Sequence, residues 1–304
     1  MKFSIVTTSF QSESTIEEFV YRINKAVGSV SKSFEIVIVD DGSTDQTKAK
    51  LQNLLKDFNQ LRVLELSRNF GHHKALLTGL EYCTGETVFL IDSDLEEAPE
   101  LFQDFLKAFT KSGVDVVFGL NARNQSGLLR KSFSSLFWQV FRRYTSVRIP
   151  AGVCTVRIMS RQYVDALLLN KEVNVFLAGL WEITGFNQRS IPITKDYKGS
   201  TSYTLSKRVD LALTSLISFS GKPLRIIAMV GIFAVLSSIL LLAILVGRFL
   251  VGDETPEGWL SVITLLVFFG GLQIFSIGLV AIYVASILEE VKKRPRTIVS
   301  RIFP

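Results

Sequence analysis

The sequence predicts an α/β protein with a mostly parallel, doubly wound sheet, followed by two membrane-spanning helices. Two observations support this fold class. In the first 120 residues, short apolar runs alternate with helical patterns of roughly 10 to 15 residues, as in a parallel sheet covered by helices. Further along the 304-residue chain, two long apolar segments carry no charged residue. We therefore expect a globular domain followed by a membrane anchor.

Five apolar runs are predicted strands, and four helical patterns separate them. The strands are predicted over 3–7, 34–39, 62–66, 87–91 and 114–118. The helices are predicted from 15 to 27 and over 44–58, 73–83 and 99–111. Ser12-Glu13-Ser14-Thr15 offers N-cap side chains for the first helix.

Two of the predicted strands end in acidic pairs. The second strand leads into Asp40-Asp41-Gly42-Ser43, and the fourth leads into Asp92-Ser93-Asp94. Ligands of parallel α/β sheets bind beyond the carboxyl ends of the strands. Carboxylates one residue apart can face one cation, and hard oxygen ligands suit Mg²⁺ or Mn²⁺ bridging to substrate phosphates. Each acidic pair alone is also typical of a solvated turn, whereas their shared position favours a site. No P-loop and no G-x-G-x-x-G motif is present.

The net charge of +6 is unevenly distributed. Residues 1–110 hold 11 Lys and Arg against 17 Asp and Glu, whereas residues 111–225 hold 17 against 6. Residues 128–149 mix aromatic and basic side chains, which is typical of an amphipathic helix on an anionic membrane. An ordinary helix packed on the core stays an alternative. The basic residues lie next to membrane segments and no nucleic-acid-binding motif is present, so we expect no nucleic acid partner.

Both uncharged segments, 226–246 and 259–288, are long enough to cross a bilayer core of about 30 Å. The link between them is acidic, whereas Lys and Arg flank the pair on the other side. The positive-inside rule therefore places the first 225 residues and the C-terminal tail in the cytoplasm. The apolar run at the N-terminus is too short for a signal peptide.

Cysteine and histidine content adds little to the functional prediction. Cys83 and Cys154 are interpreted as unpaired thiols in or near the core, which agrees with a reducing compartment. His72 and His73 are interpreted as local polar or pocket-lining residues rather than as metal ligands.

Four motifs follow one another in the first half of the chain: Thr8-Ser9-Phe10-Gln11-Ser12-Glu13, Val39-Asp40-Asp41-Gly42-Ser43, Ser67-Arg68-Asn69-Phe70-Gly71 and Ile91-Asp92-Ser93-Asp94-Leu95. In this order they resemble the motifs of GT-A-fold, family 2 glycosyltransferases. Within these, the chain resembles the polyprenyl-phosphate type, which includes dolichyl-phosphate mannose synthases and bacterial undecaprenyl-phosphate glucosyltransferases. The resemblance covers nearly the whole chain and continues through Arg157-Ile158-Met159-Ser160-Arg161 and Lys198-Gly199-Ser200-Thr201-Ser202-Tyr203.

The resemblance implies a role for each matching residue. Asp94 and Arg157 are the implied catalytic residues, and the implied metal ligands for Mg²⁺ or Mn²⁺ are Asp92, Asp94 and Glu96. The residues implied to bind the nucleotide sugar are Thr8, Phe10, Glu13, Asp40, Arg68, Asn69, Lys74, Asp92 and Ser93. Those implied to bind the acceptor phosphate are Arg123, Arg130, Ser134 and Lys198.

Three positions depart from the family pattern. Glu96 stands where Gln is usual, and a carboxylate is an equally hard metal ligand. Thr155 replaces the usual Asp of an Asp-Phe-Arg motif. Asp196 stands at the usual Arg, which leaves Lys195 and Lys198 as replacements.

The resemblance implies that the chain is divided into four parts. Residues 1–205 form a GT-A, Rossmann-like cytoplasmic domain that includes the interfacial helix at about 128–149. A second interfacial helix covers 206–225, a two-helix transmembrane hairpin covers 226–290, and a basic cytoplasmic tail covers 291–304.

The expected function is transfer of one sugar from a nucleotide diphosphate sugar, a UDP-sugar in the bacterial pattern, to undecaprenyl phosphate. The enzyme would act at the cytoplasmic face of the bacterial inner membrane and serve the modification of lipopolysaccharide or another surface glycan. The Gly270-Gly271 and Gly278 spacing allows a homo-oligomer. Two alternatives stay open: a processive polysaccharide synthase, although its Gln-x-x-Arg-Trp motif is missing, and a non-catalytic nucleotide-binding scaffold.

Overall fold

The computed structural model describes residues 2–121, 149–150, 152–173, 175–195, 222–251 and 258–304. The chain divides into two compact units. The first contains the described residues up to 195 together with 294–304, and the second contains the described residues from 222 to 293.

The first unit is built on one eight-stranded sheet with helices between its strands. The sheet order is β7-β5-β6-β4-β1-β2-β3-β8. The strands are β1 (Phe3–Ser9), β2 (Phe34–Asp40), β3 (Leu61–Leu66), β4 (Thr87–Leu90), β5 (Val116–Asn121), β6 (Val153–Ser160), β7 (Gln188–Ile193) and β8 (Val299–Phe303). The helices are α1 (Ile16–Gly28), α2 (Thr47–Asp57), α3 (His72–Tyr82), α4 (Leu101–Ser112), α5 (Arg161–Leu168) and α6 (Leu177–Ile183).

The predicted strands and helices of the first 120 residues are confirmed, with ends shifted by a few residues. Strands β1 to β4 are parallel neighbours, with β1 between β2 and β4. Their side chains are buried on both faces, as expected for strands covered by helices on each side. The apolar faces of α1, α2 and α4 complete the main core, which includes Phe19, Leu51 and Phe102.

The sheet as a whole is mixed rather than mostly parallel. Strand β6 inserts antiparallel between β4 and β5, and β8 pairs antiparallel with β3. Strand β7 is parallel to β5. The expectation of a mostly parallel sheet therefore holds for β1 to β4, while the second half of the domain adds three strands that local sequence patterns did not reveal.

The C-terminal segment, expected to be a basic tail, contributes the edge strand β8. Arg296 precedes this strand and donates hydrogen bonds to the backbone carbonyls of Asn170 and Glu172. The hydroxyls of Thr297 and Thr78 lie 2.7 Å apart, which connects the segment to α3. The chain thus returns to the sheet after the second long helix.

The second unit contains two long helices, α7 (Lys222–Leu250) and α8 (Trp259–Val291). They cover the two predicted spans. Within the ranges that the structure describes, the segment Phe268–Val291 is long and apolar enough to cross a membrane. That the first predicted span, 226–246, also crosses a membrane stays a prediction. The predicted interfacial helices, at about 128–149 and 206–225, lie almost entirely outside the described residues.

Candidate active site

The loops that follow β1, β2 and β4 meet at one edge of the sheet. Parallel pairing places Ser9 opposite Asp40 and Val6 opposite Leu90, so these three strands end side by side. The Ser93 hydroxyl donates a hydrogen bond of 2.7 Å to the Thr8 carbonyl oxygen, which joins the acidic motif after β4 to the end of β1. The predicted gathering of acidic residues at this edge is present.

Asp40 is a buried carboxylate held in one orientation. Its Oδ2 accepts a hydrogen bond of 3.1 Å from the Ser43 backbone N–H, and its Oδ1 accepts one of 3.3 Å from the Ser9 hydroxyl. The Lys48 ammonium lies 3.9 Å from Oδ2. The sequence Asp-Asp-Gly-Ser therefore folds into a turn that fixes Asp40 at the end of β2.

Asp41 connects this turn to the loop before α3. Its two carboxylate oxygens accept hydrogen bonds from the backbone N–H groups of Phe70 (2.7 Å) and Gly71 (2.9 Å). Burial raises the pKa of Asp41, although these bonds oppose the change. The Arg68 guanidinium, exposed on the same loop, lies 4.3 Å above the centroid of the Phe70 ring. Arg68 and Asn69 are thus brought next to the Asp40–Ser43 turn.

Gly42 makes that close approach possible. Its φ of 73° lies in the left-handed region, which favours glycine. A Cβ at this position would lie 2.5 Å from the backbone carbonyl carbon of Arg68 and 2.6 Å from the backbone nitrogen of Asn69. Only a residue without a side chain fits there unless the 68–69 backbone shifts.

Three further predicted donor-binding residues lie on neighbouring segments. Phe10 is exposed just past β1, and Lys74 is half-buried in the first turn of α3. Glu13 accepts a hydrogen bond of 3.1 Å from the Gln46 backbone N–H, and its own N–H donates to Asp45. Glu13 therefore stabilises the contact between the loops that follow β1 and β2.

Asp92 lies at the centre of a polar network. His72 Nε2 is 3.2 Å from Asp92 Oδ1, and His72 Nδ1 is 2.9 Å from the Thr8 hydroxyl. Antiparallel pairing of β4 with β6 places Leu90 opposite Arg157, so Thr155 lies close to Asp92 just past the end of β4. Burial raises the pKa of Asp92, but His72 outweighs it and the net pKa is lowered. Burial also lowers the pKa of His72, but the neighbouring Asp92 carboxylate raises it, and the net pKa of His72 is raised.

His72 and Thr155 thus line the acidic site. The position of His72 agrees with its interpretation as a pocket-lining residue, although no sequence pattern pairs it with Asp92. Thr155, noted as a departure from the family pattern, places a hydroxyl rather than a second carboxylate beside Asp92.

Asp94 is exposed at the tip of the motif. Its Oδ1 accepts a hydrogen bond of 2.9 Å from the Glu96 backbone N–H. Partial burial and the charge of Asp92 raise the pKa of Asp94. Leu95, between these residues, has a φ of 63°, a conformation that a branched side chain adopts only when its surroundings impose it. Its side chain is buried, which holds the turn so that Asp94 and Glu96 reach the surface of the site.

Glu97 and Lys195 form an ion pair beside the acidic motif. Lys195 is one of the two expected replacements for the family's usual Arg, but its pairing with Glu97 was not predicted. The Lys195 ammonium, two residues beyond β7, lies 3.0 Å from Glu97 Oε1 and 3.9 Å from Glu96 Oε2. The Glu97 side chain is fully buried, and burial together with Asp92 raises its pKa to about 7. The two residues are distant in sequence, so no local pattern could have paired them.

Arg157, predicted to be catalytic, is buried in the strand β6. Its guanidinium donates hydrogen bonds of 3.2 Å to the backbone carbonyls of Thr155 and Cys154 and lies over the Trp181 ring. Burial lowers its pKa to about 10. In this arrangement Arg157 supports the backbone next to Asp92, and a direct catalytic role stays a prediction.

The predicted acceptor-phosphate residues lie outside the described residues; they are Arg123, Arg130, Ser134 and Lys198. Cys83 and Cys154, in contrast, are buried free thiols as expected.

The acidic motif offers the right donors for a divalent cation without forming a closed cage. In the part of the chain that the structure describes, no three His, Cys, Asp or Glu side chains are arranged as a ready-made ligand set. Asp94 and Glu96 present hard oxygen donors at the surface of the site. These residues fit Mg²⁺ or Mn²⁺, which commonly binds through one or two carboxylates plus substrate phosphates.

Comparison with known proteins identifies the relatives of the chain. The family model described as "Glycosyl transferase family 2" matches residues 4–168. A protein of Mycobacterium tuberculosis (strain CDC 1551 / Oshkosh) named "Putative glycosyltransferases" is 41% identical, and the match covers 100% of this chain and 89% of that protein. The "Bactoprenol glucosyl transferase" of Shigella phage SfII is 29% identical, with 99% and 98% covered. The "Prophage bactoprenol glucosyl transferase homolog" of Escherichia coli (strain K12) is 28% identical, with 99% of each covered.

Among solved structures, a mannosyltransferase resembles this chain over most of its length. It is PcManGT from Pyrobaculum calidifontis, in complex with GDP-Man and Mn²⁺. The TM-score is 0.52 at 16% sequence identity, and the match covers 95% of this chain and 87% of that one. At this identity the likeness supports the fold and says nothing further about the site.

Proposed function

Since the chain belongs to glycosyl transferase family 2, we propose that it moves a single sugar from a nucleotide diphosphate sugar, a UDP-sugar, to a polyprenyl phosphate. The observation that carries this proposal is the meeting of Asp40, Asp92 and Asp94 at the carboxyl ends of β2 and β4. The polyprenyl acceptor is supported by relatives named bactoprenol glucosyl transferase, which match along 99% of the chain.

The donor would bind across the loops after β1, β2 and β4. Asp40, fixed by Ser43 and Ser9, would accept hydrogen bonds from the base or ribose. Asp41 would hold the 68–71 loop against the donor, because it accepts hydrogen bonds from two backbone N–H groups of that loop. Asp92, oriented by its contact with His72, would face the sugar and diphosphate.

The diphosphate would lie beside Asp94 and Glu96, which would hold a divalent cation. When bound, Mg²⁺ or Mn²⁺ supplies charge stabilisation to the leaving diphosphate. The acceptor phosphate oxygen attacks the anomeric carbon as the bond from that carbon to the diphosphate oxygen breaks, and the nucleoside diphosphate leaves with the electron pair. The configuration at the anomeric carbon is thereby inverted.

The acceptor explains how Thr155 is compatible with transfer. A phosphomonoester has a second pKa near 6 and is largely ionised at neutral pH, so it needs no strong base to become nucleophilic. A hydroxyl at residue 155 beside Asp92 is then sufficient, and the carboxylate usual in the family is not required.

The acceptor requires contact with a membrane. The segment Phe268–Val291 is apolar and exposed, which supports its insertion into the bilayer. We propose a two-helix anchor in the bacterial inner membrane, with the catalytic domain on the cytoplasmic side and the product used to modify a surface glycan. Arg123, Arg130, Ser134 and Lys198 are the proposed contacts of the lipid phosphate.

The test is transfer of labelled sugar into the organic phase. The purified full chain is incubated with Mg²⁺ or Mn²⁺, undecaprenyl phosphate and a panel of labelled nucleotide sugars. We expect label in the lipid fraction with one donor and a loss of at least 100-fold in the Asp94→Asn variant. Asp104→Asn, at an exposed position of α4, is the matched control and should keep full activity.

Each failure overturns a different part of the proposal. Absence of lipid-linked label with every donor would overturn the acceptor assignment. Near wild-type turnover of the Asp94→Asn variant would overturn the metal assignment while leaving the reaction itself in place.

A further inference from the structure

Lys195 lies against the acidic motif although it comes from the opposite end of the domain sequence. Its ammonium is 3.0 Å from Glu97 Oε1 and 3.9 Å from Glu96 Oε2. About a quarter of the Lys195 side chain is exposed (24%), whereas that of Glu97 is fully buried. The ion pair therefore stands at the boundary between the protein interior and the site.

The positive charge of Lys195 lies directly beside two carboxylates of the motif, those of Glu97 and Glu96. A lysine ammonium is charged at neutral pH, and the contact with the buried Glu97 carboxylate favours this charged form. Four carboxylates within residues 92–97 are thus partly neutralised by a cation of the protein itself.

We propose that Lys195 is the resident counter-cation of the acidic motif, and that it makes divalent-cation binding depend on the nucleotide diphosphate. This inference rests on the proposed function for the identity of the two ligands. A fixed positive charge within several ångströms of the motif repels a divalent ion, so Asp94 and Glu96 alone bind it weakly. The diphosphate brings negative charge that offsets this repulsion, and the ion then binds together with the donor.

The arrangement of the site supports this order of binding. Mg²⁺ commonly binds through one or two carboxylates plus substrate phosphates, so the diphosphate would complete the coordination that Asp94 and Glu96 begin. The contact of Lys195 with Glu96 places the cation directly beside a proposed ligand. Lys195 is therefore a positioning residue, which acts on the divalent cation through the carboxylates and does not touch the reacting atoms.

The experiment measures Mn²⁺ affinity by the electron paramagnetic resonance signal of free Mn²⁺, at about pH 8, with and without UDP. In the wild-type chain we expect weak binding without UDP and much tighter binding with it. In Lys195→Met, binding without UDP should tighten about tenfold or more, and the gain from UDP should shrink. Lys195→Arg keeps the charge and should remain within about threefold of wild type.

A second variant tests the same charge in the opposite direction. Glu97→Gln removes the carboxylate that neutralises Lys195 and leaves the cation in place. Its Mn²⁺ binding without UDP should weaken several-fold relative to wild type. If Lys195→Met does not fold, as judged by circular dichroism, the Mn²⁺ affinity of Glu97→Gln alone tests the proposal.

Unchanged or weaker Mn²⁺ binding in Lys195→Met would overturn the proposal, as would unchanged or tighter binding in Glu97→Gln. Neither measurement needs sugar transfer. A chain that shows both affinity changes but transfers no sugar would contradict the proposed function and keep the role of Lys195. A chain that transfers sugar but shows neither affinity change would contradict the role of Lys195 and keep the proposed function.

Discussion

Replacing Gly42 by alanine tests whether the close contact between two loops builds the donor site. No functional side chain is removed by Gly42→Ala. The substitution adds one methyl group at a position where φ is 73° and where that group would lie 2.5 Å from the Arg68 backbone. The 68–69 loop must therefore move away from the Asp40–Ser43 turn.

Two costs add in this variant. A left-handed backbone costs an alanine about 1 kcal/mol relative to glycine. Contacts of 2.5 and 2.6 Å are well below van der Waals distance and involve backbone atoms, so relief by movement adds about 1–3 kcal/mol. We expect a total loss of about 2–4 kcal/mol in the free energy of unfolding.

Gly113→Ala provides the matched control. Gly113 ends α4 with a φ of 62°, and a Cβ there would meet no atom within 4 Å. This variant carries the conformational cost alone, about 1 kcal/mol. Denaturant unfolding of the full chain in detergent gives the free energy of unfolding of both variants. Calorimetry gives their affinities for UDP.

We expect Gly42→Ala to lose at least 1 kcal/mol more stability than Gly113→Ala, and to weaken UDP binding about tenfold or more. Equal stability of the two variants, or UDP affinity unchanged in Gly42→Ala, would refute the reasoning that the loop contact shapes the donor site.

Three further predictions concern stability. Burial lowers the pKa of His73 to about 4, so the folded state favours the neutral ring. The free energy of unfolding should therefore fall by about 3 kcal/mol as pH drops from about 6.5 to about 4, and thermal unfolding of His73→Gln should lack this loss. Deleting 299–304 removes β8 and exposes the edge of β3, so light scattering should show aggregation at concentrations where the full chain stays dispersed; a dispersed variant would contradict the role of β8. Asp41→Ala leaves two backbone N–H groups unpaired and should cost about 1–3 kcal/mol in denaturant unfolding, whereas an unchanged midpoint would show that these bonds are not needed.

The sequence predicted the first half of the domain well because the signals there are local. Each strand of the parallel core is an uninterrupted apolar run, and each helix has apolar residues at helical spacing. The acidic turns follow two of these strands directly, so strand position alone places Asp40 and Asp92 at the same edge. Chain topology then brings the acidic turns together.

The features that the sequence could not predict all depend on contacts between distant residues. Strand β8 is preceded by a membrane-length helix, and its partner β3 lies more than 230 residues earlier. Lys195 reaches Glu97 only because β6 and β7 complete the sheet on that side. The burial of the Arg157 guanidinium likewise depends on distant contacts, namely the pairing of β6 with β4 and the Trp181 ring.

The mass of the organic-phase product tests the central claim most directly. If one sugar is transferred to a polyprenyl phosphate, mass spectrometry should show the intact lipid monophosphate plus a single sugar residue, with one phosphorus atom. A ladder of several sugars would indicate polymerisation, and a product with two phosphorus atoms would indicate transfer of a sugar phosphate. Either result would contradict the account.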